Sequence, residues 1–302
     1  MKKVVSVSLG SAKGDFQTTV RYLGQDIEIS RTGTNGSLTG YAAKLRELDG
    51  KVDAIGLGGA DMYVYAGGRR YTFREISKLA ALVKQTPVVD GSGLKNTLER
   101  ECVRYLNARG IVHFSEVNTL MVCAVDRFGM AEEIAAGGGP AIYGDLMFAL
   151  GLPIPIRSFG LIRPLAALIL PVAVRLPFRW LYPTGPKQDV ARPRFGWAYS
   201  WADVIAGDRH MIRRRMPEGA GSLAGKTIIT NTTTAEFRDE IARRGAKRLI
   251  TTTPAFGGRS PGTNVMEAAI VAASGSGARS LTPDDFSRML EELHWKPEVT
   301  EL

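Results

Sequence analysis

The feature that most constrains this chain is a series of short apolar runs, each followed by a polar turn and a stretch long enough for a helix. TLMVCAV (119–125), ADVIA (202–206), KTIIT (226–230) and KRLIT (247–251) are the clearest. The first is continuously apolar, the pattern of a strand covered on both faces. Strands that alternate with helices pair in parallel, and their crossovers are right-handed. The pattern predicts an α/β protein whose C-terminal part is a Rossmann-like parallel sheet.

The N-terminal third repeats the logic with more hairpins. KVVSVSL (3–9) is a predicted strand, and 17–30 a hairpin turning at Gly24-Gln25. Ser37 is placed to cap a helix through Arg46. VDAIGL (52–57) is a short strand, and MYVYAGGRRYTF a second hairpin around Gly67-Gly68. A helix near 74–84, a strand at 87–89 and a helix over 95–108 follow. The expected division is an N-terminal α/β domain over 1–112 and a Rossmann-like domain over 113–302. The second domain carries an apolar, Arg-rich insertion over 157–183. Near the end, LTPDDFSRMLEELHW announces a helix, with Thr282 as cap, Pro283 at its first position and acids in its first turn.

Some chemistry is excluded early. Cys102 and Cys123 form no C-x-x-C pair, and His113, His210 and His294 are scattered singly, so no metal-ligand spacing exists. The opening MKKVVSVSLGSAKGD holds only a short β-like apolar run and reads as a first strand rather than a signal peptide. The expected location is cytoplasmic.

Several groups of residues are candidates for binding or catalysis. Strand 119–125 runs into Asp126-Arg127-Phe128-Gly129 and a helix, and Asp145 ends the next strand. In a dinucleotide fold the first turn meets the phosphates and an acid about 20 residues later holds the ribose. Asp126, Gly129 and Asp145 fit those places; the plain alternative is a sheet with Asp145 capping a helix. Two strand ends are rich in hydroxyls, Asn231-Thr232-Thr233-Thr234 and Thr251-Thr252-Thr253. One Thr per strand is expected as a cap, and a longer run predicts a ligand-facing rim in which Asn231, Thr232 and Thr253 touch cofactor. Arg259, in the loop AFGGRSPG, is a candidate anion ligand, unless that loop is simply surface. VVDGSGLKNT places Lys95 and Asn96 at a helix start, where a cation is electrostatically out of place. An anionic ligand or an acid partner would justify it. Lys95 with Asp90 is therefore the candidate catalytic pair, and Asn96 a substrate contact.

Charge singles out one segment. Of a net +9, residues 151–197 hold seven lysines and arginines against one acid, Asp189. The uncharged run Pro164–Val174 is far shorter than the roughly 20 residues a membrane span needs. Arg163, Arg175, Arg179 and Trp180 suit an anionic membrane surface, which would put the protein on the inner face of the cell membrane. A core segment or lid, and a homodimer contact, are the competing readings. Nucleic acid is not an expected partner, because the basic excess falls in an apolar segment rather than on an aromatic-interleaved basic face.

VDGSGLKNTLER, VDRFGMAE, RLPFRWLYPTG, ITNTTT, LITTTP and GRSPGTNVMEA together are similar to bacterial proteins named quinate 5-dehydrogenase. The resemblance covers most of the chain. It implies an NAD(P)-linked oxidoreductase acting on a cyclic polyol acid and related to shikimate dehydrogenases. On that likeness Lys95 takes the place of their catalytic lysine, and ITNTTT that of their N-A-T segment. Their N-T-D segment has no counterpart, and their Gly-rich loop is reduced to DRFGM. The expectation is an oxidoreductase-like enzyme using NAD or NADP on a small-molecule or lipid-like substrate. One alternative is a peripheral-membrane protein that handles a lipid or isoprenoid. The other is a non-catalytic metabolite sensor.

Overall fold

The computed structural model describes residues 1–177, 191–253, 260, 262–275 and 281–302. The first sheet contains β1 (Lys2–Ser8), β2 (Phe16–Tyr22), β3 (Gln25–Gly33) and β4 (Ala54–Gly58). A separate ribbon follows, β5 (Tyr63–Ala66) with β6 (Arg69–Thr72), and then β7 (Val88–Val89) returns to the sheet. The order is β2-β3-β1-β4-β7, parallel except for β2. β2 and β3 turn at Leu23-Gly24, both at positive φ, the two-residue turn whose twist matches the strands it joins. Helices α1 (Leu38–Leu48), α2 (Arg74–Ala80) and α3 (Ser92–Ala108) belong to this half. Ser37 caps α1 as its sequence predicts, accepting from Gly40 N.

From α3 the chain enters a second sheet. Its strands are β8 (Thr119–Met121), β9 (Ala141–Tyr143), β10 (Val204–Ala206), β11 (Thr227–Thr230), β12 (Arg248–Thr251) and β13 (Glu298–Glu301). Between them lie α4 (Phe128–Ala136), α5 (Ile162–Ala173), α6 (Gly196–Trp201), α7 (Arg209–Arg215), α8 (Ala235–Arg243), α9 (Thr263–Ser274) and α10 (Pro283–Glu292). The order is β13-β12-β11-β10-β8-β9, parallel except for β13, which runs antiparallel to β12. The predicted strand 119–125 is cut short. After Met121 the chain bends, and residues 123–125 are held by the Asp145 carboxylate instead of a neighbouring strand.

The two halves share material. The face of the first sheet formed by Val4, Ile27 and Ile29 is covered by Val265, Ala268, Ala269 and Ala272 of α9, late in the chain. The approach is close: a Cβ on Gly56 of β4 would meet the Asn264 carbonyl at 2.8 Å. The largest apolar cluster runs from Val7 and Leu57 through Cys102 and Leu106 of α3 to Met121 and Ile250 of the second sheet.

The Arg-rich apolar segment is partly core. Ile162, Ala166 and Leu170 of α5, with Val174, recur at helical spacing and are buried in that cluster. Leu161, Leu168 and Val172 are exposed. Arg163 and Arg175 are exposed, and the Arg163 stem lies over Gly67 of the ribbon turn. Arg179 and Trp180 lie outside the described residues. Among the described residues no helix is long and apolar enough to cross a membrane.

Candidate functional site

In an open parallel sheet, ligands sit beyond the carboxyl ends of the strands, where the strand order reverses. In the second sheet that point lies between β8 and β10, since β9 flanks one side of β8 and the later strands the other. In the first sheet β1 sits between β3 and β4. The loops that leave β4, β8 and β10 carry Asp61, Asp126-Arg127 and Asp208. These residues meet.

Lys95, from the first turn of α3, is the hub. Its ammonium lies 3.0 Å from Asp126 Oδ1 and 3.6 Å from Asp61 Oδ1, so one cation joins a loop of the first sheet to a loop of the second. Arg127, 2% exposed, pairs with Glu99 of α3, with Asp208 Oδ2 at 3.1 Å and with Asp126 Oδ2 at 3.6 Å. Asp208 also caps α7, accepting from His210 N and Met211 N. Ser92, Asn96, Tyr63 and Tyr65 complete a narrow cavity around Lys95, Glu99, Asp126 and Arg127. The rings of Tyr63 and Tyr65 meet edge to face, with centroids 5.3 Å apart.

The electrostatics follow from burial opposed by pairing. Burial works against the Lys95 ammonium, but Asp126 and Asp61 hold its pKa well above the ordinary lysine value. Burial pushes Asp61 up to about 7, with Lys95 pulling the other way. Burial likewise pushes Glu99 up to about 7 against Arg127. Asp208 is buried too, yet Arg127 and His210 keep it low, at about 2. Behind the N-terminus of α3, Glu267 of α9 is pushed up to about 8 by burial and by Asp90. Its carboxylate accepts from Leu94 N.

Lys95, Asn96 and Asp126 were singled out from sequence, and they do lie together. The acid partners of Lys95 are Asp126 and Asp61 rather than Asp90. Asp90 is turned the other way, accepting from Met62 N, Tyr63 N, Ser92 N and Ser92 Oγ, where it fastens the turn into α3. Gly129 is a packing glycine. A Cβ there would lie 2.5 Å from the Asn96 carbonyl and 2.7 Å from Asn96 Oδ1, because α4 crosses α3 at that point. Asp145 holds the loop after β8, with Ala124 N at 3.1 Å and Val125 N at 2.9 Å; both oxygens are engaged. Thr253 faces inward, fully buried, and donates to the Asn231 carbonyl. Thr252 is also fully buried, and its carbonyl accepts from Trp295 Nε1 at 3.0 Å. The Thr253 hydroxyl therefore joins two strand ends instead of facing a ligand. Asn231 is buried beside Thr230, and Thr232 is half-buried. Arg259 lies outside the described residues. Sequence reasoning missed Asp61, Glu99, Arg127 and Asp208. The acids after Gly58-Gly59 and Gly207 were the available signal, but a strand-end acid also looks like a cap.

A family model described as "Domain of unknown function (DUF8754)" matches residues 93–302. The chain belongs to this family. A second, "Domain of unknown function (DUF8753)", matches residues 3–90, so the seam between the two falls at the N-terminus of α3, three residues before Lys95 at the closest. No curated protein matches the chain. Similar solved structures include a galactofuranose binding protein, at 12% identity over 97% of this chain and 98% of the other, with a TM-score of 0.38. A Caulobacter myo-inositol binding protein shares 11% identity over 99% and 93%, with a TM-score of 0.38. A sugar ABC transport substrate-binding protein from Bordetella parapertussis shares 11% over 100% and 89%, with a TM-score of 0.39. Likeness at this level assigns neither fold nor ligand to a DUF8754 chain.

These findings correct the expected kinship with quinate and shikimate dehydrogenases. Both families that match are of unknown function, and no dehydrogenase model or curated protein matches the chain. The alternatives, a lipid-handling peripheral-membrane protein and a metabolite sensor, find no match either. The site itself gives a physical reason to discard the nucleotide reading. Asp61, Glu99, Asp126 and Asp208 surround the start of α4 and would oppose a pyrophosphate, and Asp145 is not free to hold a ribose.

Proposed function

We propose that this DUF8754 chain binds a small polyhydroxylated molecule at the junction of the two sheets, between Asp61, Lys95 and Asp126. The observation that carries the reading is the Lys95 ammonium, held between two carboxylates that come from different sheets. Buried ion pairs are a poor way to join two lobes, since desolvation offsets most of their attraction. Concentrated at strand ends with shifted acidities, they mark a site. The surrounding acids outnumber Lys95 and Arg127, which disfavours an anion. Hydroxyl groups suit the place, because each can donate to a carboxylate and accept from the ammonium. Tyr65, exposed at the edge of the cavity, adds flat apolar surface of the kind sugar rings cover.

The test is calorimetric titration of the purified protein with pentoses, hexoses in furanose and pyranose form, and inositols. At least one should bind saturably, and Asp126→Asn should weaken it tenfold or more. A panel that gives no binding, or a variant that binds as tightly as the parent, would overturn the reading.

A further inference from the structure

At the opposite end of α7 from Asp208, four arginines gather, and among the described residues no acid pairs with them. Arg192 donates its backbone N–H to the Arg214 carbonyl at 2.7 Å, and Arg194 to the Arg215 carbonyl at 3.2 Å. This short ladder aligns Arg192 with Arg214 and Arg194 with Arg215. Arg215 Nη2 donates to the Phe148 carbonyl at 3.2 Å. The Arg194 guanidinium lies on Gly151, whose φ is +76°; a Cβ there would come within 2.6 Å of Nη1. Arg194 and Arg215 thus converge on one turn, Phe148–Gly151.

Their neighbour Arg213 shows what ordinary pairing looks like here. It reaches Glu236 and Glu240, each at 2.7 Å. Among the described residues, no carboxylate pairs with Arg192, Arg194, Arg214 or Arg215. The Nε atoms of Arg214 and Arg215 are buried with no acceptor. Burial and then Arg192 hold the Arg214 guanidinium below its usual value. Burial, Arg214 and Arg194 do the same for Arg215. The helix dipole favours cations in the last turn of α7, which accounts for Arg214 and Arg215. It does not account for Arg192 and Arg194, which belong to an extended stretch outside that helix.

We propose that Arg192, Arg194, Arg214 and Arg215 bind a phosphorylated small molecule through its phosphate group. Guanidinium groups take phosphate oxygens in pairs, and Arg192 and Arg194 are exposed to receive them. The four converge within two rungs rather than spreading along a track, which matches one phosphate or diphosphate rather than a nucleic-acid backbone. The site is separate from the Lys95 cluster and stands whether or not that cluster binds a polyol.

The experiment titrates the intact protein with inorganic pyrophosphate, inorganic phosphate and a single-stranded DNA oligonucleotide at physiological salt. Pyrophosphate should bind saturably. The double variant Arg192→Gln/Arg194→Gln should lose at least tenfold in affinity with an unchanged melting temperature. Arg109→Gln/Arg243→Gln, which removes the same charge from exposed arginines elsewhere, should stay within twofold of the parent. Absence of saturable binding overturns the proposal, as does an equal loss in both doubles. An oligonucleotide that binds far more tightly than pyrophosphate overturns it too, and makes the patch a nucleic-acid surface.

Discussion

At the scale of single residues, Lys95 and Glu267 make opposite predictions. Lys95 stands between Asp61 and Asp126, so Lys95→Met leaves two carboxylates facing each other with little solvent. Removing one partner of a buried pair costs about 3–5 kcal/mol. Asp61 already sits near 7, and loss of the ammonium raises it further. The deficit should therefore be large at pH 8 and shrink by pH 5, where Asp61 is protonated and neutral; urea denaturation at the two pH values reads it directly. Equal deficits would show that lost packing, not charge, is the cause. Among the described residues no cation pairs with Glu267. Its folded pKa, about 8, lies above the ordinary glutamate value, so between pH 4.5 and 8 the folded state binds more protons than the unfolded one. Stability from this group falls as pH rises through that window and is fully lost above it. Glu267→Gln should flatten the curve and raise the melting temperature above the parent's at pH 9; parallel curves for the two proteins would contradict the assignment. Lys95 was legible in the sequence because a cation at a helix start is anomalous. Glu99 and Arg127 were not, since their pairing is made only by the crossing of α3 and α4.

At the scale of elements, the sequence was most readable where local chemistry is strict. The two hairpins, the Ser37 cap and the Thr282-Pro283 start of α10, with its reciprocal capping by Asp285, all follow from turn and cap residues. The antiparallel edge strand β13 escaped notice because EVTE is polar and largely exposed, and only β12 makes it a strand. The threonine ends misled for a related reason: hydroxyls that can face a ligand can equally bond a neighbouring strand end, and Thr253 does so. Gly129 separates two accounts of the α3–α4 crossing. If its role is close packing, Gly129→Ala forces a Cβ against Asn96 and should cost about 1–3 kcal/mol, the usual range for overpacking. Differential scanning calorimetry measures it, and an unchanged melting temperature would mean the helices can slide apart without cost.

At the scale of the whole molecule, the sequence could not show that α9 and the first sheet belong together, because no periodicity reports a contact between residues so far apart. One face of the first sheet lacks a cover without α9, whose Val265, Ala268 and Ala269 lie with Val4, Ile27 and Ile29. A fragment ending at residue 112 should therefore bind a hydrophobic dye and melt without a cooperative transition, whereas the intact chain should do neither. A cooperative melt of the fragment would show that β1–β4 can close their own core. The same arrangement sets an order of events at the ribosome. The first sheet leaves the exit tunnel well before α9 and must wait for residues up to 274, so an apolar face stays open while the intervening residues are made, and nascent chains should be held by chaperones until α9 emerges.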